Sequence, residues 1–422
     1  MKPNWIFLSL LLTAGSSSMA QNNASLTLEQ CYDMLAKTSP LAQQKMLTIT
    51  AGNLAEKNQN LKWLPQADLN AQATYQSAVT SFPVKLPNVT VDELSKDQYK
   101  GTLDIIQPVY DGGIISAQKK LQHAGTGLEA QRVEVDIYQL KAKVNQYFFM
   151  ALLMEENIKL MNLVKEDIES NSKKVSAQAA NGIATHTNAD VLKAELLKTT
   201  QRIIEYSATR KASLEALEIL TGSMIDQNTK LVKPVHAADG DETINRPELK
   251  LFDFQKEQFR LQSKLVSAKS NPKFSLFANG GYGKPGLNML KNEFQWFYIG
   301  GVKLSIPITG QFTKQRDQRV LRIQQQIVEK QRENFLSNNK QLLVQQKNEV
   351  EKFSRLVSTD AEIVALRTKI KENAAVRLAN GIITSSDYIT ELNAESQAML
   401  TQKLHEVQWL QSQYNYKLIL GK

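Results

Sequence analysis

Residues 181–185 read Asn-Gly-Ile-Ala-Thr, and residues 380–384 read Asn-Gly-Ile-Ile-Thr. The two stretches lie 199 residues apart, and two further landmarks keep that separation. Ile106-Gln107-Pro108 is matched by Ser305-Ile306-Pro307, and Thr221-Gly222 is matched by Leu420-Gly421. Three landmarks at one spacing predict an internal two-fold repeat.

Earlier in each half the separation is 207 residues, because Pro40 matches Pro247 and Pro65 matches Pro272. The first half therefore has eight extra residues before Pro108, and insertions of this kind collect in exposed loops. Each half is predicted to contain a helix, a β-hairpin, a very long helix, a tight turn and a helix. The predicted organisation is a signal peptide at 1–20, a first repeat at 21–222 with its hairpin at 65–109 and turn at 181–185, a linker at 223–245, and a second repeat at 246–422 with its hairpin at 272–307 and turn at 380–384.

The hairpins are predicted from side chains that alternate in character with a period of two residues. Between residues 296 and 306, apolar or small side chains alternate with a mixed set, and the apolar set is Trp296, Tyr298, Gly300, Val302, Leu304 and Ile306. Similar alternation occurs in the other three segments, which is typical of strands. About ten residues suit a tilted membrane strand with aromatic ends, and the same pattern also fits soluble hairpins packed on helices.

Four membrane strands in one chain would leave two open edges, whose unpaired backbone groups are costly in lipid. Closure would then need other copies of the chain. Barrels have at least about eight strands, so two copies or three copies satisfy the residue pattern.

The long helices are predicted from the absence of proline between Gly112 and Asn181 and between Gln311 and Asn380. About 70 residues of helix would extend on the order of 100 Å. The second helix has a narrow apolar stripe among many Gln, Asn, Lys and Glu residues. That composition fits the wall of a water-filled tube, and it fits an ordinary long coiled coil equally well.

The first twenty residues indicate export. Lys2 precedes an apolar run at 5–12, and small residues follow up to Ala20, as in a secretory signal peptide. The apolar run is too short for a membrane-spanning helix, which needs roughly 20 residues. Export leaves periplasmic, secreted and outer-membrane destinations open.

Composition argues against several function classes. The formal net charge of +9 is spread along the helices among acidic residues, which predicts solvated faces and no nucleic-acid partner. The single cysteine, Cys31, is expected to be a small buried residue. The four histidines are isolated in sequence, so no catalytic residue, metal site or cofactor is predicted.

Over residues 26–422 the chain resembles the TolC family of outer-membrane efflux and secretion ducts. The features that carry the resemblance are the two halves in register, the two Asn-Gly-Ile turns and the prolines at the predicted barrel junctions, Pro65, Pro108, Pro272 and Pro307. The resemblance implies a mainly α protein with membrane β: a homotrimeric 12-stranded β-barrel, four strands per chain, continued by a long α-helical barrel in the periplasm.

The same resemblance implies a passive duct of a tripartite efflux or type I secretion system in the bacterial outer membrane. Its partners would be outer-membrane lipid, a periplasmic adaptor protein and an inner-membrane RND or ABC transporter. The alternative prediction is a secreted or periplasmic coiled-coil structural or adhesion protein. No enzyme activity is expected.

The resemblance also assigns site residues. The adaptor-docking candidates are the two turns, Asn181, Gly182, Ile183, Ala184, Thr185, Asn380, Gly381, Ile382, Ile383 and Thr384. Either glycine could instead simply end a helix. The pore-constriction candidates are Asp387, its first-half equivalent Asn188, and Glu391. Asp387 could equally be an N-terminal aspartate stabilised by the helix macrodipole, and the family's gate arginine is replaced by Ile383.

Overall fold

A computed structural model describes residues 25–80, 94–182, 184–235, 242–289 and 291–422. The predicted signal peptide, Ile183 and residues 236–241 of the predicted linker lie outside the described residues. The described elements are, in chain order, β1 (Ser25–Leu26), α1 (Leu28–Thr38), α2 (Pro40–Leu61), β2 (Gln66–Tyr75), β3 (Asp97–Tyr110), α3 (Ile114–Ala180), α4 (His186–Thr221), β4 (Lys230–Leu231), α5 (Pro247–Lys269), β5 (Lys273–Lys284), β6 (Gln295–Ser305), α6 (Gly310–Ala379) and α7 (Ser385–Leu420).

The same series of elements occurs twice. Helix α2 has 22 residues and α5 has 23, and each precedes a pair of strands. Helices α3 and α6 follow with 67 and 70 residues, and α4 and α7 have 36 residues each. The long helices end just before the glycines of the two turns. None of the helices in the described part of the chain is long and apolar enough to cross a membrane.

The chain divides into two compact units. The turn unit contains both helix turns and is made of Met1–Met34, Val144–His236 and Leu356–Leu410. The strand unit contains both hairpins and is made of Leu35–Lys143, Ala237–Arg355 and Gln411–Lys422.

In the strand unit, four strands form one antiparallel sheet in the order β2-β3-β5-β6. The outer edges of β2 and β6 have no strand partner among the described residues. Pro65 and Pro272 directly precede β2 and β5, and Pro307 follows β6 by two residues. Pro108 lies inside β3, where the register with β5 shifts between Pro108 and Tyr110. A shift of this kind accommodates the missing proline N–H, so the strand continues two residues past the proline.

Sequence explains where the shorter helices of the strand unit begin. The Ser39 side chain accepts a hydrogen bond from the Ala42 backbone N–H at 3.2 Å, and Pro40 occupies the first turn of α2. Pro247 has the same place in α5. Both arrangements fit the first turn of a helix, where proline loses no hydrogen bond and a serine oxygen satisfies a free N–H.

The core of the turn unit lies behind the two helix turns. Its buried members come from four helices, and they are Ile168, Val175, Leu192, Ala374, Leu378, Tyr388, Ile389 and Leu392. Cys31 is also fully buried in this unit, on α1, which confirms the prediction from sequence. Burial raises the pKa of the Cys31 thiol to about 12, so the thiol stays protonated and unreactive.

Candidate functional site

The two helix turns have the same backbone form. Gly182 and Gly381 adopt φ values of 73° and 69°, and no atom lies within 4 Å of the position where a Cβ would stand. The left-handed backbone, and not crowding, therefore explains the glycines. The Ile382 N–H donates to the Arg377 carbonyl at 2.9 Å, which closes the end of α6.

The docking candidates divide by exposure. Ala184 and Ile383 pack against the core of the turn unit, whereas Ile382 is 64% exposed. Ile183 lies outside the described residues. The remaining candidates are exposed, and they are Asn181, Gly182, Thr185, Asn380, Gly381 and Thr384. The accessible surface is therefore mostly polar, with one exposed apolar side chain.

Side chains join the two turns. The Asn188 side-chain oxygen accepts a hydrogen bond from the Ser385 N–H at 3.4 Å, which connects the first turn of α4 with that of α7. The Gln178 amide donates to the Ala379 carbonyl at 3.1 Å, which connects the ends of α3 and α6. The structure thus brings together the two halves of the sequence repeat at their matching turns.

Asp387 belongs to a capping box at the start of α7. The Thr384 N–H and hydroxyl donate to its carboxylate at 3.0 and 2.7 Å, and the Asp387 N–H donates back to the Thr384 hydroxyl at 3.2 Å. Hydrogen bonds from the Thr384 hydroxyl and then its N–H hold the pKa of Asp387 below the usual range. The side chain is exposed and ionised at neutral pH. Asp387 therefore caps the start of α7, and its negative charge remains accessible to solvent.

The third constriction candidate has a different environment. A Glu391 carboxylate oxygen lies 3.6 Å from an Arg367 guanidinium nitrogen, so its charge is paired within the chain. Asp387 has no such cation within ion-pair distance among the described residues.

A part-buried ion cluster behind the turns was not predicted from the sequence. The Lys371 ammonium on α6 lies 3.1 Å from Asp167 on α3 and 3.2 Å from Glu395 on α7. Next to it, the fully buried Tyr388 hydroxyl accepts a hydrogen bond from Asn171 at 2.9 Å. The only sequence signal was spacing, because residues four apart, such as Asp167 and Asn171, share a helix face.

Two histidines that are isolated in sequence have carboxylate partners in the structure. His405 Nδ1 lies 2.6 Å from the buried carboxylate of Asp360, and His123 Nδ1 lies 3.0 Å from Glu56. Among the described residues no group of three or more His, Cys, Asp or Glu side chains could hold a metal ion.

The four-stranded sheet has two different faces. On one face large apolar side chains are exposed, with Trp296 and Tyr298 exposed by 82% and 85%. On the other face the Asp104 carboxylate accepts hydrogen bonds from Asn70, Asn279 and Thr102. This second face is mixed, because Ile106, Phe277 and Ile299 share it with the polar cluster. An apolar face opposite a face with polar side chains is the pattern of a strand between lipid and water.

Residues 53–223 match the family model described as outer membrane efflux protein. That span contains the first hairpin, α3, α4 and the first turn. Over this span the chain is similar to the outer membrane efflux protein family. No curated protein matches it in sequence.

Solved structures of outer-membrane channels share the fold of this chain. CusC, studied for folding and transmembrane channel formation, is 13% identical with a TM-score of 0.67, and 96% of each chain is covered. The Campylobacter jejuni CmeC outer membrane channel is 14% identical with a TM-score of 0.66, covering 99% of this chain and 94% of its own. The open-state Neisseria gonorrhoeae MtrE outer membrane channel is 14% identical with a TM-score of 0.66, covering 93% and 88%. At these identities the likeness establishes the fold.

Proposed function

We propose that the protein is the outer-membrane duct of a tripartite efflux or type I secretion system. The observation that carries this proposal is the four-stranded sheet, which combines an exposed apolar face, a mixed face with a polar cluster, and two edges without a strand partner among the described residues. The match of residues 53–223 to the outer membrane efflux protein model supports the same function. The coiled-coil structural or adhesion alternative is not favoured, because it explains neither the match to the efflux model nor the exposed aromatic side chains on the strands.

Closure of the sheet requires sister chains. Free edges on β2 and β6 would leave unsatisfied N–H and C=O groups in lipid, at several kcal/mol for each group. Two copies would supply eight strands and three would supply twelve. The family resemblance favours the homotrimer, with a 12-stranded barrel in the outer membrane and an α-helical barrel in the periplasm. In this arrangement residues 1–20 direct export, 21–222 and 246–422 are the two structural repeats, and 223–245 is the equatorial linker.

The duct is passive in this proposal, and energy comes from an inner-membrane RND or ABC transporter. A periplasmic adaptor would contact the exposed residues of both turns, with Ile382 as the apolar contact and the asparagines and threonines as hydrogen-bonding partners. The part-buried Ala184 and Ile383 would support the turns from within. Pro65, Pro272 and Pro307 would mark the junctions between strands and helices, whereas Pro108, also predicted at a junction, lies inside β3.

Asp387 is proposed to supply the charge of the pore constriction. Three copies of an exposed, ionised carboxylate would form a ring that attracts cations. Asn188 would lie beside it without charge, and Glu391 would contribute less because Arg367 neutralises it.

Asp387→Asn is expected to reduce the preference of the channel for cations, since the substitution removes one negative charge per chain from the ring. Single-channel currents of the mature protein in planar bilayers, recorded under a salt gradient, measure this preference through the reversal potential. Asp317→Asn removes an equally exposed charge from α6 and is the matched control. Equal reversal potentials in all three proteins would rule out the ring and leave the duct, whereas no openings from correctly inserted wild-type protein would contradict the duct.

A further inference from the structure

A groove in the strand unit lies between α2, α3 and α5, close to the helix ends that carry the strands. Its volume is about 750 Å³. Four permanent cations line it, Lys119 and Lys120 from α3 and Arg260 and Lys264 from α5. Two carboxylates, Glu56 and Glu257, also line it, so the groove has an excess of two positive charges when His123 is neutral.

The excess positive charge is carried by Lys120 and Lys264, because the other cations have carboxylate partners. Glu56 lies 3.8 Å from Lys119 and 3.0 Å from His123, and Glu257 pairs with Arg260. Lys120 and Lys264 are exposed and have no carboxylate within 4.0 Å among the described residues. These two ammonium groups are therefore available to an anion from outside the chain.

The groove also has apolar surface. Its lining includes the side chain of Phe254 and the buried side chains of Leu261 and Ala124. A small inorganic anion would not use this surface. An amphiphile with a phosphate group and hydrocarbon chains would use both parts of the groove.

The position along the helices suits a lipid headgroup. Lys120 is six residues from the start of α3 and Lys264 is five residues from the end of α5. At a rise of 1.5 Å per residue, both lie roughly 8 to 9 Å from the helix ends next to the strands. Headgroup layers extend about 5 to 7 Å beyond the hydrocarbon on each side, and lysine side chains reach toward them.

The two lysines come from helices that are connected to the inner strands of the sheet. Helix α3 follows β3 and α5 precedes β5, whereas the free edges are β2 and β6. Of the three helices that line the groove, α2 is the one connected to an edge strand.

We propose that this groove binds the headgroup of an anionic phospholipid from the periplasmic leaflet, with Lys120 and Lys264 contacting the phosphate. The inference rests on the proposed membrane-embedded duct. The lipid would fix the depth of the barrel in the membrane, because it is held at one level of the helices.

The test is native mass spectrometry of the full assembly in detergent, titrated with phosphatidylglycerol or with phosphatidylcholine of the same acyl chains. Wild-type protein is expected to prefer phosphatidylglycerol. The double variant Lys120→Gln/Lys264→Gln should bind it on the order of tenfold more weakly. The double variant Lys143→Gln/Lys250→Gln removes the same charge from exposed sites elsewhere on α3 and α5, and it should bind like the wild type.

Equal binding by both double variants would overturn the lipid site. Displacement of phosphatidylglycerol by millimolar inorganic phosphate would assign the groove to free anions and also overturn it. Planar-bilayer recordings of the same preparations separate this failure from that of the proposed function. If the channels conduct and Lys120→Gln/Lys264→Gln binds phosphatidylglycerol like the wild type, only the lipid site is contradicted. If the inserted wild-type protein does not conduct, the duct is contradicted, together with the lipid site that rests on it.

Discussion

Lys371→Met is expected to lower the free energy of unfolding by about 2 kcal/mol, because removal of the shared cation of a part-buried ion cluster leaves uncompensated charge beside the buried Glu395. Asp167 and Glu395 would then lie close together without their shared cation, and Glu395 has only 5% of its side chain exposed. One oxygen of Glu395 already lacks a hydrogen-bond donor among the described residues. Unfolding of the purified protein by heat or denaturant, followed by circular dichroism, measures the loss.

Lys369→Met is the matched control, since Lys369 lies two residues away on the exposed side of α6. We expect its effect to be within about 0.5 kcal/mol. Adding Glu395→Gln to Lys371→Met should restore part of the lost stability because it removes one uncompensated charge. A loss of equal size in the Lys369 variant, or no rescue by Glu395→Gln, would contradict the role assigned to the cluster.

The effect of Lys371 also has a predicted pH dependence. Burial alone would lower the pKa of Lys371, but hydrogen bonds and charge from Asp167 and Glu395 outweigh it and raise the pKa above its ordinary value. A raised pKa stabilises the fold below the ordinary lysine value of about 10.4, and that stabilisation is lost as the pH rises through the folded-state pKa. The stability difference between wild type and Lys371→Met should therefore stay constant from about pH 7 to 9. A difference that shrinks in that window would mean a lowered pKa.

Gly281→Ala is expected to disrupt the four-stranded sheet. A Cβ at this position would lie 2.5 Å from the Gly101 carbonyl oxygen of β3 and 2.8 Å from the ring of Phe297 on β6. Backbone in a central strand cannot move without breaking ladder hydrogen bonds, so the cost is about 3 kcal/mol or more. The expected result is loss of the membrane-inserted assembly, measured as the amount of folded protein extracted from outer membranes.

Gly280→Ala is a stringent control because it changes the neighbouring residue on the opposite face. The nearest atom to a Cβ on Gly280 is the Phe297 carbonyl oxygen at 3.9 Å, an ordinary contact. This variant should assemble normally. If Gly281→Ala assembled as well as Gly280→Ala, the packing of Phe297 against Gly281 would not be required for the sheet.

Sequence predicted the elements wherever a local pattern determines them. The alternation from Trp296 onward predicted a strand, and β6 covers Gln295–Ser305. The absence of proline predicted two very long helices, which are α3 and α6. The extension of β3 beyond Pro108 was not predictable, because it depends on a register shift against β5 that only the paired strand determines.

The site was predicted less completely. Repeat spacing identified the two turns, and the structure shows the left-handed glycines that end the long helices there. Spacing could not show that Ile383 packs inward while Ile382 is exposed, since this depends on how the turn meets the core. Nor could it reveal the cluster around Lys371, whose partners Asp167 and Glu395 come from helices distant in sequence.

Closure of a β-barrel by copies of this chain in the outer membrane can be tested by the native mass of the protein extracted with detergent from purified outer membranes. We predict a particle of three mature chains, found in the outer-membrane fraction and stable in mild denaturant. Recovery of the folded protein as a monomer in the periplasmic fraction, without detergent, would contradict it.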